Sequence, residues 1–173
     1  MKLLPVLVIL AALQPSPSHH RVPEEVSSQE YQVYSLWIDH HLGQQFIGDL
    51  YIVDHTKAFN PHIFPCNHPL NPVNHSEDAY VFDQLSGLGN KTFPFSAGQK
   101  EPNFHLSIPY KAIGEMPTVA QGLVLQFSRV AFTDDGTGAL FSVNEKQSGE
   151  KPATINFVFA NKIDDHWTFS LMC

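Results

Sequence analysis

From Gly122 to Leu171 the chain runs in short stretches of alternating apolar residues, each ended by a turn signal. Leu123, Leu125 and Phe127 fall on one side of a strand running from Gly122 to Thr133, with Val124, Val130 and Phe132 on the other. Asp134-Asp135-Gly136-Thr137-Gly138 then supplies a tight turn before a return strand from Ala139 to Val143. A polar loop covers 144–152, and strands over Thr154–Ala160 and Trp167–Leu171 bracket Lys162-Ile163-Asp164-Asp165. Side chains that alternate with a period of two are buried by a sheet and not by a helix. This third of the chain therefore predicts four consecutive strands in an antiparallel meander.

The preceding half must cover that sheet. Ser27-Ser28-Gln29-Glu30 has the spacing of a capping box, in which a serine hydroxyl and a glutamate three residues on satisfy the first free amides of a helix. Tyr31, Tyr34, Ile38 and His41 follow at helical spacing, with Val33 and Trp37 beside them, and Gly43 stops the run, so a helix is expected over about 28–42. Phe46–Val53 reads as a strand, because it is β-branched and aromatic. Four prolines between Asn60 and Asn74 rule out a regular element there. Glu77–Leu88 fits a short helix capped by Ser76, and His105–Ile113 fits an edge strand that tolerates Pro109. The expected fold class is α+β, with an N-terminal helix packed on an antiparallel sheet and a C-terminal strand meander.

The N-terminus reads as a targeting segment. Lys2 precedes an apolar run from Leu3 to Leu13 that is too short to span a bilayer, and Ser16 and Ser18 offer a small-x-small cleavage site. The expectation is a signal peptide over 1–18, a disordered leader over 19–26 and a single α+β domain over 27–173, secreted or periplasmic, with no transmembrane segment after processing. The 173 residues carry 10 basic and 17 acidic side chains, a net charge of −7, and removal of Lys2 with the signal peptide makes the chain more acidic still. Scattered basic residues on an acidic chain exclude nucleic acid as an expected partner. In an oxidising compartment Cys66 and Cys173 form a candidate disulfide; the alternative is two separate thiols.

Four segments occur in order: Tyr31-Gln32-Val33-Tyr34-Ser35-Leu36-Trp37-Ile38, Ile52-Val53-Asp54-His55-Thr56, Ser128-Arg129-Val130-Ala131-Phe132 and Asp165-His166-Trp167-Thr168-Phe169. Together they resemble an uncharacterised family of exported bacterial α+β proteins with a V-Y-S helix, an I-x-D-Q-T strand end, S-R-V-G-F and a C-terminal G-x-W-K-V strand. His55 stands where that pattern has Gln, Ala131 where it has Gly and Thr168 where it has Lys. The resemblance covers the beginning and end of the chain and implies an exported α+β domain; it brings no catalytic residue.

Histidine is the residue type with the most chemistry to offer, with ten in the chain. A transition-metal site drawn from His55, His62, His68 and His75 is one expectation, since imidazole is the commonest metal ligand. Their spacing matches no zinc pattern, and H-E-x-x-H is absent, so solvated loop histidines are the competing reading. No motif requires a cofactor. Ser128 has no G-x-S-x-G elbow around it, which argues against a serine nucleophile. Arg129 sits in an otherwise apolar strand, where it either pairs with Asp54 or another carboxylate or receives an anionic ligand. With Trp37, Asp54 and Trp167 it forms a candidate ligand-binding set between helix and sheet. The function expected from the residues is therefore an exported, non-catalytic domain binding an unknown small ligand or protein. The alternative is a metal-binding protein or metal-dependent hydrolase using the His55–His75 region.

Overall fold

A computed structural model describes residues 25–43, 46–59, 76–95, 104–118, 120–149 and 152–171. Its elements are α1 (Ser28–Leu42), β1 (Leu50–Val53), α2 (Ser76–Gly87), β2 (Tyr110–Ile113), β3 (Leu123–Phe127), β4 (Ala131–Phe132), β5 (Gly138–Lys146), β6 (Thr154–Ile163) and β7 (His166–Leu171). The fold is α+β. Helix α1 packs on a seven-stranded sheet of order β2-β1-β3-β5-β6-β7, with β4 pairing β5 off the main path.

The capping box forms as its spacing implies. Ser27 Oγ accepts from the Glu30 amide at 3.2 Å, and Glu30 Oε2 accepts from the Ser27 amide at 2.8 Å. Gly43, at φ +63°, ends the helix and donates its amide to Asp39 O. The apolar stripe of α1 delivers Val33, Tyr34, Trp37 and Ile38 to the core, all at or near zero exposure. Burial of side chains of this size contributes about 1.5–3 kcal/mol each.

Strands β3, β5, β6 and β7 are antiparallel neighbours, the C-terminal meander. The sheet as a whole is mixed, because β1 lies between β2 and β3 and runs parallel to both. A parallel neighbour needs a crossover rather than a hairpin, and α2 lies within the stretch that carries the chain from β1 to β2. Gly122 makes the approach of β3 to β1 feasible. Its φ is +115°, and a Cβ there would meet Asp49 O at 2.5 Å. The β6–β7 hairpin closes through Asp164 and Asp165 at φ 49° and 62°, a two-residue loop with left-handed backbone at both positions.

The strand expected over 122–133 is interrupted. Phe127 pairs with Val143 but Ala131 pairs with Leu140, so three residues on one side oppose two on the other. This is a one-residue bulge, and it inverts the alternation: Leu123, Leu125 and Phe127 join the α1-side core, and so do Val130 and Phe132, while Ala131 joins the cluster under α2. Arg129 lies within the bulge and is buried, at 1% exposure. A regular strand would have placed Val130 on the opposite face.

Each face of the sheet is thus covered by a different helix. Phe141, Val143 and Val158 face α1, whereas Leu140 and Phe157 face Val81 and Leu85 of α2. Near β1 on the α2 side, Val53, Val124 and Ala120 form a third cluster. Among the described residues no helix is long and apolar enough to cross a membrane.

Candidate functional site

Between those two clusters on the α2 side, the sheet is polar. Gln126 of β3 and Asn144 of β5 are direct cross-strand partners and share this face. The Cβ atoms of directly opposed residues in an antiparallel pair stand about 4.5–5.5 Å apart, so the two side chains are neighbours in a polar strip. The segment that leaves β1 runs past this strip. His55 Nε2 lies 3.5 Å from Gln126 Nε2, and Lys57 Nζ donates to Asn144 Oδ1 at 2.5 Å.

The backbone under His55 and Lys57 is held from several directions. Asp54 donates its amide to Ile113 O, Thr56 to Phe93 O and Lys57 to Phe127 O, while Phe95 donates to Asp54 O. Thr56 Oγ1 also accepts from the Phe93 amide. A segment tethered at so many points holds the Cα positions of His55 and Lys57 in place against the sheet.

Asp54 and His55 form an oriented pair, with Nδ1 2.9 Å from Asp54 Oδ1. In the neutral tautomer with the proton on Nδ1, the ring donates to the carboxylate and its Nε2 lone pair accepts from Gln126. Lys57 is the unusual member. Desolvation by burial pushes its ammonium down to about 7 from an ordinary 10.5. Among the described residues no carboxylate lies within ion-pair distance of its nitrogen, whose hydrogen-bond partner is the neutral Asn144 oxygen.

The four residues marked as ligand-binding in the sequence are dispersed. Asp54 belongs to the strip just described. Trp37 is buried under α1, stacked on His41 at 4.6 Å and edge-on to Phe127 and Phe141. Tyr34, Trp37, Phe127 and Phe141 occupy the space between helix and sheet where a pocket was expected. Trp167 is half-buried on β7, against Phe132. Arg129 pairs with Glu30, not Asp54: its Nε and Nη2 donate to the two carboxylate oxygens at 2.7 and 2.9 Å, with the two residues 1% and 2% exposed. Its Nη2 also reaches Glu25 O, and its guanidinium lies 4.6 Å from the centre of the Phe93 ring.

His62, His68, His75, Cys66 and Cys173 lie outside the described residues. Among the described residues no three His, Cys, Asp or Glu side chains gather as a metal-ligand set. His55, the described member of that group, has a neighbour at each ring nitrogen, Asp54 and Gln126. Ser128 is fully buried, with its hydroxyl donating to Arg129 O and accepting from the Ser142 amide.

Two other arrangements stand apart from the strip. On the α1 side, Glu145 accepts from His41 Nε2 at 3.1 Å and also from Gln147 and Asn156. The hydrogen bond from His41 holds the Glu145 carboxyl below its ordinary range. A recess of about 660 Å³ opens on the outer flank of α1, lined by residues including Val26, Gln29, Tyr31, Gln32, Leu36 and His105, with no Lys, Arg, Asp or Glu among the described residues of its wall.

Lys57, Gln126 and Asn144 carried no signal in the sequence. A lysine, a glutamine and an asparagine become a cluster only through cross-strand register. The one clue was a break in apolar character at 126 and 144, within strands otherwise rich in Leu, Val and Phe. No family model, curated protein or solved structure matches the chain.

Proposed function

We propose that the protein is an exported, non-catalytic ligand-binding domain whose site is the strip formed by Asp54, His55, Lys57, Gln126 and Asn144. One observation carries the reading: five half-buried polar side chains sit on a tethered backbone between two apolar clusters. Interiors that gain nothing from polar groups replace them with apolar ones, because half-satisfied polar groups are costly to desolvate. Recognition accounts for the chemistry present better than turnover does. The strip offers donors, acceptors and one cation, while the nearby hydroxyls of Thr56 and Ser128 are already hydrogen-bonded within the fold. Export rests on the apolar run Leu3–Leu13 and the small residues Ser16 and Ser18.

A fragment screen by ¹H–¹⁵N NMR on the full chain tests the site. Bound compounds should shift the amides of His55, Lys57, Gln126 and Asn144 saturably, and the double change Gln126→Leu with Asn144→Leu should abolish those shifts. Hits that map elsewhere and survive the double change would overturn the assignment. Export is checked separately by sequencing the secreted chain, which should begin at His19.

A further inference from the structure

We infer that the strip binds a small monocarboxylate, whose oxygens bridge the Lys57 amine and the Gln126 side-chain amide. This assignment rests on the ligand-binding role proposed above and names the ligand class for the same site.

Charge and geometry both favour a single negative charge. When protonated, Lys57 is a half-buried cation whose hydrogen-bond acceptor, Asn144 Oδ1, is neutral, and among the described residues no carboxylate pairs with it, so one ligand anion supplies a countercharge. A desolvated ion pair with hydrogen bonds on both sides is the arrangement in which such a contact is strongest. Gln126 lies directly across from Asn144, and its amide has a second N–H beyond the one directed at His55. A planar carboxylate can therefore receive from Lys57 at one oxygen and from Gln126 at the other.

Asp54 is the other charge facing the strip. Its carboxylate turns to His55 Nδ1 and is 46% exposed, so water screens it from a ligand on the Nε2 side. A dianion such as phosphate would match one of its charges to Lys57 and leave the second desolvated without a counterion, which argues for a carboxylate over a phosphate. The clusters on either side, Val53 with Val124 and Leu140 with Phe157, keep the surroundings of the strip poor in dielectric screening.

The test titrates the full chain with acetate, with its neutral isostere acetamide and with inorganic phosphate, read residue by residue by NMR. Acetate should saturate the shifts of Lys57, Gln126 and Asn144, with acetamide at least tenfold weaker and phosphate weaker than acetate. Lys57→Met should weaken acetate tenfold or more, whereas Lys162→Met, on the exposed end of β6, should change nothing. Gln126→Leu gives an independent second reading should Lys57→Met fold poorly, and it too should weaken acetate. Equal binding of acetate and acetamide, tighter binding of phosphate, or unaltered acetate binding in either strip variant would each overturn the assignment. If acetate is silent while neutral fragments still shift the same amides, the carboxylate assignment falls and the ligand-binding role stands; silence from both removes both.

Discussion

Glu30 shows how much one side chain can be asked to do. Its carboxylate closes the capping box, receives both Arg129 nitrogens and accepts from the Val130 amide at 3.0 Å, so it binds the start of α1 to the bulge between β3 and β4. In the sequence it reads as a capping residue, and Arg129 as a cation needing a carboxylate. Their meeting, 99 residues apart, depends on how α1 docks on the sheet, which local pattern does not announce. Breaking a buried pair leaves an uncompensated charge, so Glu30→Gln should cost about 3–5 kcal/mol in denaturant unfolding. Glu30→Met combined with Arg129→Met should cost much less than the sum of the single changes; a strictly additive cycle would refute the coupling. Two tyrosines give a second contrast. Tyr34 donates its buried hydroxyl to Ser128 O, whereas the Tyr31 hydroxyl is buried with no partner among the described residues, and burial pushes its pKa up to about 12. Tyr34→Phe should destabilise by about 1–3 kcal/mol by leaving the acceptor unpaired, and Tyr31→Phe should be neutral or stabilising. Equal losses from the two changes would contradict that accounting.

Elements whose signals are local were legible, and those set by partners were not. The capping box and Gly43 give α1 its bounds directly, and the Asp-Asp turn gives the last hairpin. The β1 and β2 strands were expected to begin at Phe46 and His105 but pair only from Leu50 and Tyr110, because apolar composition continues past the point where a neighbouring strand is available. Asp165 holds a left-handed conformation that costs an L-residue about 1–2 kcal/mol, so Asp165→Gly should stabilise the β6–β7 hairpin by about 1 kcal/mol in thermal unfolding. Its exposed ion pair with Lys162 offsets little of that gain. The tie between α1 and β5 is pH-dependent in a definite direction. Glu145 has a depressed folded pKa, so its contribution is complete above the unfolded carboxylate value of about 4.3 and is lost as pH falls through the lower folded value. Against Glu145→Gln, the natural chain should be more stable at pH 6, and the two unfolding curves should converge at acid pH. A constant gap from pH 6 to pH 2 would show that the carboxylate charge is irrelevant there.

At the level of the whole molecule, the sheet joins two kinds of pairing that differ in what they demand of the chain. The meander β5–β6–β7 is built from neighbours along the sequence, with Ile163 opposite His166 and Gly138 opposite Asn161. Strand β1 instead meets Tyr110 and Leu123 with its first residue, Leu50, so both its partners arrive from far along the chain. Strand order of this kind is not written in periodicity, which states that a segment is a strand and which face it buries but not beside which strand it lies. The candidate strip inherits that hidden information, since Lys57 and His55 reach Asn144 and Gln126 only after β1 has been inserted beside β3. Closing long loops costs entropy before the contacts repay it, so local hairpins should form in the folding transition state ahead of β1. Phe141→Leu in β5 should therefore slow refolding, whereas Ile52→Val in β1, at a cost of about 0.5–1.5 kcal/mol, should leave refolding nearly unchanged and accelerate unfolding. Stopped-flow measurement of both limbs decides the matter. If Ile52→Val slows refolding by the full equilibrium loss, β1 insertion is part of the nucleus and the polar strip forms early rather than last.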